Sequence, residues 1–292
     1  MTINVSVVIP AKNEQSAIGD VITKIKTLTF NKGIELVEII IVNDGSTDNT
    51  AQAAINAGAK VISHPYSKGN GAAIKTGARE ATGDIIVFMD GDGQHAPEDI
   101  PRLLAKLEQG FDMVVGARQK GSQASVGRSL ANKFYNKFAS YMTGHKIEDL
   151  TSGFRLVNAK KFRKFLSLLP NGFSYPTTST MAFFRAGYSV AYEPIHAAQR
   201  EDESNSHINI VKDGIRFLLI IFKVGTLYSP LKLFLPIAVS VFLTGLSYYA
   251  YTFFALGRFT NMSALMFSTA LIIFMVGLVS EQITALMYKD SE

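Results

Sequence analysis

The stretch with the clearest capacity for chemistry is Met89-Asp90-Gly91-Asp92-Gly93-Gln94-His95, where two carboxylates one residue apart are followed by an amide and an imidazole. The run before it, Ile85-Ile86-Val87-Phe88, predicts a buried parallel strand. Asp90 and Asp92 then lie at the carboxyl end of that strand, where open α/β sheets bind ligands. Two carboxylates there are costly unless a positive partner neutralises them. Hard oxygen donors from Asp90, Asp92 and Gln94 suit Mg²⁺ or Mn²⁺ carrying a phosphorylated ligand. The plain alternative is a glycine-turned loop with solvated aspartates.

The elements that must position this pair follow from periodicity. Val5–Ile9 predicts a first strand, stopped by Pro10, and the polar loop Pro10-Ala11-Lys12-Asn13-Glu14 leads into a helix with Ile18, Val21, Ile22 and Ile25 on one face. A strand over Leu36–Val42 ends in Asn43-Asp44-Gly45-Ser46-Thr47-Asp48. A helix over Ala51–Ala57 and a strand over Lys60–Ser63 come next, and Lys68-Gly69-Asn70-Gly71 opens a helix reaching about Ala81. Pro97 sits at a helix start with Glu98 and Asp99 behind it, and Asp112–Gly116 predicts another strand. This alternation implies a doubly wound, Rossmann-like α/β domain with right-handed crossovers. Beyond it, Val126–Met142 predicts a helix bearing Arg128, Lys133 and Lys137. Asp149–Arg155 reads as a compact turn, Phe162–Leu169 and Thr178–Ala186 as helices, and Ser189–Glu193 as a strand.

Composition adds exclusions. The 292 residues carry a net charge of +5 and contain no cysteine, which rules out disulfides, thiolate catalysis and Cys-based zinc sites. No Lys/Arg-rich block suggests a nucleic-acid surface. The N-terminus has no basic segment followed by a long apolar core, so no signal peptide is expected. Hydrophobic residues make up 47% of the chain, high for a purely soluble protein. Leu233–Gly257 and Met262–Ser280 hold no charged residue. At about 1.5 Å per residue each can cross a hydrocarbon core of about 30 Å. They predict a transmembrane hairpin over 232–288, with spans of about 233–257 and 262–282. Glu281 at the end of the second span reads as an interfacial residue or as a polar contact in a homo-oligomer. Residues 207–231 mix apolar positions with Lys212, Asp213, Arg216 and Lys223 at helical spacing, as amphipathic interfacial helices do. Arg216, Lys223, Lys232 and Lys289 flank the hairpin on the domain side, against Arg258 alone in its loop. That asymmetry places the α/β domain, residues 1–206, on the cytoplasmic side.

Neither G-x-G-x-x-G in the first loop nor a P-loop is present. Instead Pro-Ala-Lys-Asn-Glu (10–14), Val-Asn-Asp-Gly-Ser-Thr-Asp (42–48), Lys-Gly-Asn-Gly (68–71), Met-Asp-Gly-Asp-Gly-Gln-His (89–95), Gly-Ala-Arg (116–118) and Asp-Leu-Thr-Ser-Gly-Phe-Arg (149–155) occur in the order seen in family 2 glycosyltransferases. The sequence most resembles their polyprenyl-phosphate branch, of the dolichyl-phosphate mannose synthase type, over roughly residues 3 to 215. The resemblance implies a GT-A fold and inverting transfer of one sugar from a nucleotide-sugar to a polyprenyl phosphate, in a multi-pass protein of the cell (inner) membrane. It implies that Pro10, Ala11, Asn13, Glu14, Asp44, Gly45, Lys68, Asp90 and Gly91 hold the donor nucleotide, and that Asp90, Asp92 and Gln94 hold the metal. Arg118, Arg128, Ser152, Arg200 and His207 would hold the acceptor phosphate, with Asp92, Asp149, Arg118 and Arg128 closest to the chemistry. An already ionised lipid phosphate needs positioning and charge compensation more than a strong base. Around residue 200 the chain departs from the family's Arg, Gly, Ser-Lys pattern: it has Arg200-Glu-Asp-Glu-Ser-Asn-Ser206-His207. The sequence leaves open the donor (UDP-glucose, UDP-GlcNAc or GDP-mannose), a different lipid or soluble acceptor, a non-catalytic scaffold and the oligomeric state. A processive synthase would need a Gln-x-x-Arg-Trp motif, and the chain has no tryptophan.

Overall fold

A computed structural model describes residues 2–119, 126–172, 174–196, 219, 222–223 and 225–289, with side chains of 126–132 excluded. The chain divides into two compact units, Met1–Ser140 with His145–Ile210, and Tyr141–Gly144 with Val211–Glu292.

The first unit is built on a seven-stranded sheet. Its strands are β1 (Ile3–Ala11), β2 (Ile34–Asn43), β3 (Lys60–Ser63), β4 (Ile85–Phe88), β5 (Met113–Arg118), β6 (Arg155–Asn158) and β7 (Val190–Ile195), in the order β3-β2-β1-β4-β6-β5-β7. Helices α1 (Ile18–Lys26), α2 (Thr50–Asn56), α3 (Asn70–Glu80), α4 (Ile100–Leu107), α5 (Val126–Thr143), α6 (Ala159–Arg163) and α7 (Tyr175–Arg185) follow the strands, and a 3₁₀ turn at Pro97–Asp99 precedes α4. The first four strands pair in parallel, as the βαβ alternation requires. The apolar stripe of α1 (Ile18, Val21, Ile22, Ile25) is buried and joins Val5, Val7 and Ile9 in the main core.

The structure differs from the sequence expectation in three places. The first strand does not stop at Pro10, which stays in β1 opposite Val42. Val8 O accepts from Met89 N (3.4 Å), whereas Ala11 O accepts from Asp44 N (2.9 Å). The Pro10 nitrogen therefore faces β4 just past its last paired residue, where no donor is needed. Second, the compact turn at 149–155 ends by launching β6, which runs antiparallel to both β4 and β5, so the sheet is mixed. Third, the helix expected at 162–169 is the shorter α6, started by the Asn158 side chain accepting from Lys161 N (3.1 Å), followed by turns.

In the second unit, α8 (Pro230–Leu256) and α9 (Asn261–Tyr288) form a hairpin closed at Gly257 and Thr260, the latter capping α9 through Ser263 N. Both helices are long and apolar enough to cross a membrane, and only 11% and 17% of their apolar windows are buried, which is unlike core helices of a soluble protein. What they bury is a seam of small residues at seven-residue spacing, Ala238, Gly245 and Thr252 against Ser263, Ala270, Gly277 and Thr284. Small residues let helix backbones approach closely where lipid supplies no hydrophobic drive. Glu281 acts within the hairpin. Its Oε2 accepts from Ser229 Oγ (3.0 Å) and Leu231 N (3.1 Å), capping the N-terminus of α8 from the neighbouring helix.

Candidate active site

Four successive strand ends of the first unit enclose a cavity of about 400 Å³. Its lining comes from the end of β1 and the loop behind it (Pro10, Ala11, Lys12, Glu14), from just past β2 (Asp44), from the approach to α3 (Ser67, Gly69, Asn70) and from the segment after β4 (Asp90, Gly91, Asp92). Hydrogen bonds fasten these loops to one another. Asn13, in a left-handed conformation (φ 57°), donates from its backbone to Ser46 Oγ (3.0 Å) and accepts from Thr47 N (2.9 Å). Glu14 N donates to Thr50 Oγ1 (2.9 Å).

Asp44 is the central fastener. Oδ1 accepts from His64 Nδ1 (2.7 Å) and Lys68 N (2.8 Å), and Oδ2 accepts from Ser67 Oγ (2.8 Å) and Gly69 N (2.8 Å). His64 Nε2 in turn meets Thr76 Oγ1 at 3.0 Å. Burial alone would raise the Asp44 carboxyl, but the bonds from His64, Lys68, Ser67 and Gly69 bring it down to about 2. The carboxylate thus latches the β2 end to the loop that opens α3, and Gly45, at φ 67°, makes the turn beside it. Lys68 contributes its backbone amide to this latch, and its Nζ lies 5.9 Å over the Tyr66 ring. His64 and Ser67 were not singled out in the sequence, although His64 follows directly on the carboxyl end of β3.

Asp90 and Asp92 emerge together from β4. The Asp90 side chain is 36% exposed toward the cavity. Desolvation raises its carboxyl above the usual range against the opposing pull of His95, and Asp92 raises it further. His95 Nδ1 stands 3.8 Å from Asp90 Oδ2, beyond hydrogen-bonding reach, and that nitrogen is buried without a partner. Among the described residues no lysine or arginine forms an ion pair with Asp90. Asp92 Oδ1 accepts from Gln94 N (3.1 Å). Asp90 also lies against Gly153, where a Cβ would stand 2.8 Å from its Oδ2. The cradle around this carboxylate therefore tolerates no side chain. Its resisted ionisation and hard oxygens fit a divalent cation. Among the described residues no three His, Asp or Glu side chains gather into a metal shell, so such an ion would complete its coordination with ligand oxygens and water.

Across Gly153 lies a second charged group. Arg118, at the end of β5, forms a bidentate pair with Asp149 (Nε–Oδ2 2.8 Å, Nη2–Oδ1 3.0 Å) and donates to Thr151 Oγ1 (2.6 Å). Burial would raise the Asp149 carboxyl and lower the Arg118 guanidinium, but their mutual bond reverses both shifts. Arg118 Nη1 has no acceptor among the described residues. Ser152 is fully buried, its Oγ unpartnered. Arg128 lies on α5, and its side chain is outside the described set; Arg200 and His207 are outside the described residues altogether.

Residues 6–166 match the family model for glycosyl transferase family 2. The chain belongs to glycosyl transferase family 2. Residues 229–286 match the model named GtrB C-terminal hairpin. Over 212 residues the chain is 32% identical to undecaprenyl-phosphate 4-deoxy-4-formamido-L-arabinose transferase of Salmonella paratyphi B, covering 68% of this chain and 60% of that relative's length. Among solved structures, glucosyl-3-phosphoglycerate synthase from Mycobacterium tuberculosis bound to phosphoglyceric acid superposes with a TM-score of 0.59 at 22% identity, over 76% of this chain and 79% of the other. The same enzyme with Mn²⁺ and UDP-glucose gives 0.57 at 26% identity, over 75% and 79%. The GT-A-like α/β fold of this family 2 member is thus shared with a synthase solved in complex with Mn²⁺ and UDP-glucose.

Proposed function

We propose that this glycosyltransferase transfers a single sugar, with inversion, from a nucleotide-sugar to a polyprenyl phosphate at the cytoplasmic membrane face. The observation that carries the reading is the placing of two charged groups on either side of Gly153, the Asp90/Asp92 pair and the Arg118–Asp149 pair, in a chain that ends in an apolar hairpin. The relative named for undecaprenyl phosphate and the hairpin match support the acceptor class.

In this reading the nucleoside lies in the cavity between the Pro10–Glu14 loop and the loops that Asp44 latches. Asp90 and Asp92 would hold Mg²⁺ or Mn²⁺ against the diphosphate, as the Mn²⁺ and UDP-glucose bound by the mycobacterial synthase suggest. A cation held there neutralises negative charge that develops on the departing diphosphate. Arg118 offers Nη1 to the acceptor phosphate while Asp149 holds its other edge rigid. One acceptor oxygen bonds to the anomeric carbon as the carbon–diphosphate oxygen bond breaks from the opposite face. The phosphate arrives ionised, so no side chain has to remove a proton, and the residues serve to align two anions. Arg128, Arg200 and His207 are proposed to complete the acceptor side, and the hairpin to bring it to the lipid.

The test is nucleoside-diphosphate release from UDP-glucose, UDP-GlcNAc and GDP-mannose, with and without a short polyprenyl phosphate, and with EDTA. Turnover that needs the lipid and is abolished by EDTA is expected, and Asp92→Ala should slow it by at least about 10²-fold. The mycobacterial synthase bound to phosphoglyceric acid motivates a second arm. Equal turnover on 3-phosphoglycerate without lipid would replace the lipid acceptor with a soluble phosphate, and no turnover with any donor would remove the enzymatic reading.

A further inference from the structure

We infer that Arg155 is a positioning residue that sets the spacing between the donor half of the site, at Asp90, and the acceptor half, at Arg118. The inference rests on the transfer reading above.

Strand β6 is wedged between the strands that carry the two halves. Arg155 pairs with Phe88 on one side and with Val115 on the other. Asp90 lies two residues beyond Phe88, and Arg118 three beyond Val115. Because β6 runs the opposite way, the segment before Arg155 rises between them. That segment touches both halves, Gly153 against the Asp90 carboxylate and Asp149 and Thr151 against Arg118. Phe154 O accepts from Gly116 N (2.9 Å), tying the same segment to β5.

The Arg155 side chain secures this partition from beneath. It is fully buried and donates through Nη2 to Ser152 O. Through Nη1 it donates to Pro176 O (2.9 Å), Ser179 Oγ (2.8 Å) and Thr180 Oγ1 (3.1 Å) on α7. Its guanidinium carbon lies 5.6 Å from the centre of the Tyr175 ring, and Tyr175 Oη donates to Gly153 O (2.8 Å). The two side chains therefore hold consecutive carbonyls of the partition to the first turns of α7.

Stability alone does not account for this arginine. Among the described residues no carboxylate is ion-paired with it, and its Nε is buried without an acceptor. Its contribution is therefore carried by the hydrogen bonds it donates to neutral oxygens and not by an ion pair. What an apolar side chain lacks is a rigid fork spanning Ser152 O and three oxygens of α7, and the point charge of lysine lacks it as well.

The test compares Arg155→Met, Arg155→Lys and Tyr175→Phe with wild type as full-length protein in lipid nanodiscs. Binding of UDP with Mn²⁺ reports the donor half, binding of a short polyprenyl phosphate reports the acceptor half, and kcat at saturation reports their relative placement. Both Arg155 variants should fold and hold each Kd within about threefold, while kcat falls about 10²-fold, as for a misplacement of about 1 Å. Lysine should not rescue. Tyr175→Phe removes a single oxygen and should lower kcat about tenfold with the same split, and it carries the test if the arginine variants do not fold. Unchanged kcat in a folded variant, a Kd loss matching the kcat loss, or full rescue by lysine would overturn the inference. Wild-type protein without lipid-dependent turnover in the same assay would instead refute the transfer reading.

Discussion

Replacing Asp44 by asparagine tests whether the donor pocket is held open by a latch or gripped by a nucleoside ligand. The aspartate accepts four hydrogen bonds, two of them from the backbone amides of Lys68 and Gly69. Asparagine keeps one oxygen and turns an amide group toward the other two donors, so at least one backbone N–H of Lys68 or Gly69 loses its acceptor. Folding brings this carboxyl from 3.8 to about 2, which at about 1.36 kcal/mol per pH unit is worth about 2.5 kcal/mol. For a unit of this size that corresponds to a loss of about 5–10 °C in Tm at pH 7. The sign with pH is fixed, because the folded value lies below the unfolded one. The contribution is complete above about pH 4 and disappears as pH falls toward about 2, so wild type and Asp44→Asn should converge in acid. Thermal unfolding followed by circular dichroism between pH 2 and 7 measures this, and UDP titration at pH 7 should show weaker binding in step with the lost stability. An unchanged Tm at pH 7, or a gap that persists at pH 2, would refute the latch. Lost UDP binding with an unchanged Tm would mean that Asp44 grips the nucleoside directly.

Two further substitutions probe the site and the hairpin. Gly153→Ala places a Cβ 2.8 Å from Asp90 Oδ2 and should cut Mn²⁺-dependent turnover by at least about tenfold with little change in Tm; wild-type kinetics would show that the Asp90 cradle can give. Glu281→Ala leaves Ser229 Oγ and Leu231 N without their acceptor and should cost the hairpin about 1 kcal/mol, read as an earlier midpoint in SDS unfolding with UDP binding unchanged. An unmoved midpoint would remove Glu281 as the cap of α8.

Much of the architecture was legible because it is local. The apolar stripe of α1, the buried run before Asp90 and the charge-free stretches of the hairpin are written within one element, and side-chain periodicity over a few turns or residues suffices to read them. The same holds for the convergence of Pro10, Glu14, Asp44, Asp90 and Asp92, since parallel strands of a βαβ sheet deliver their carboxyl ends to one edge. Strand β6 was not legible. Arg155-Leu156-Val157-Asn158 is too short to carry a period, and its direction is set by the neighbours it pairs with. Nor were the partners of the charged groups. Asp44 meets donors 20 to 25 positions along the chain, Arg118 meets Asp149, Arg155 is enclosed by α7, and Glu281 caps the preceding helix. Residue type made Asp44 and Arg118 candidates for ligand contact. Whether a charge faces a ligand or is satisfied by the chain itself depends on which distant atoms folding brings within 3 Å, and only the tertiary structure decides that.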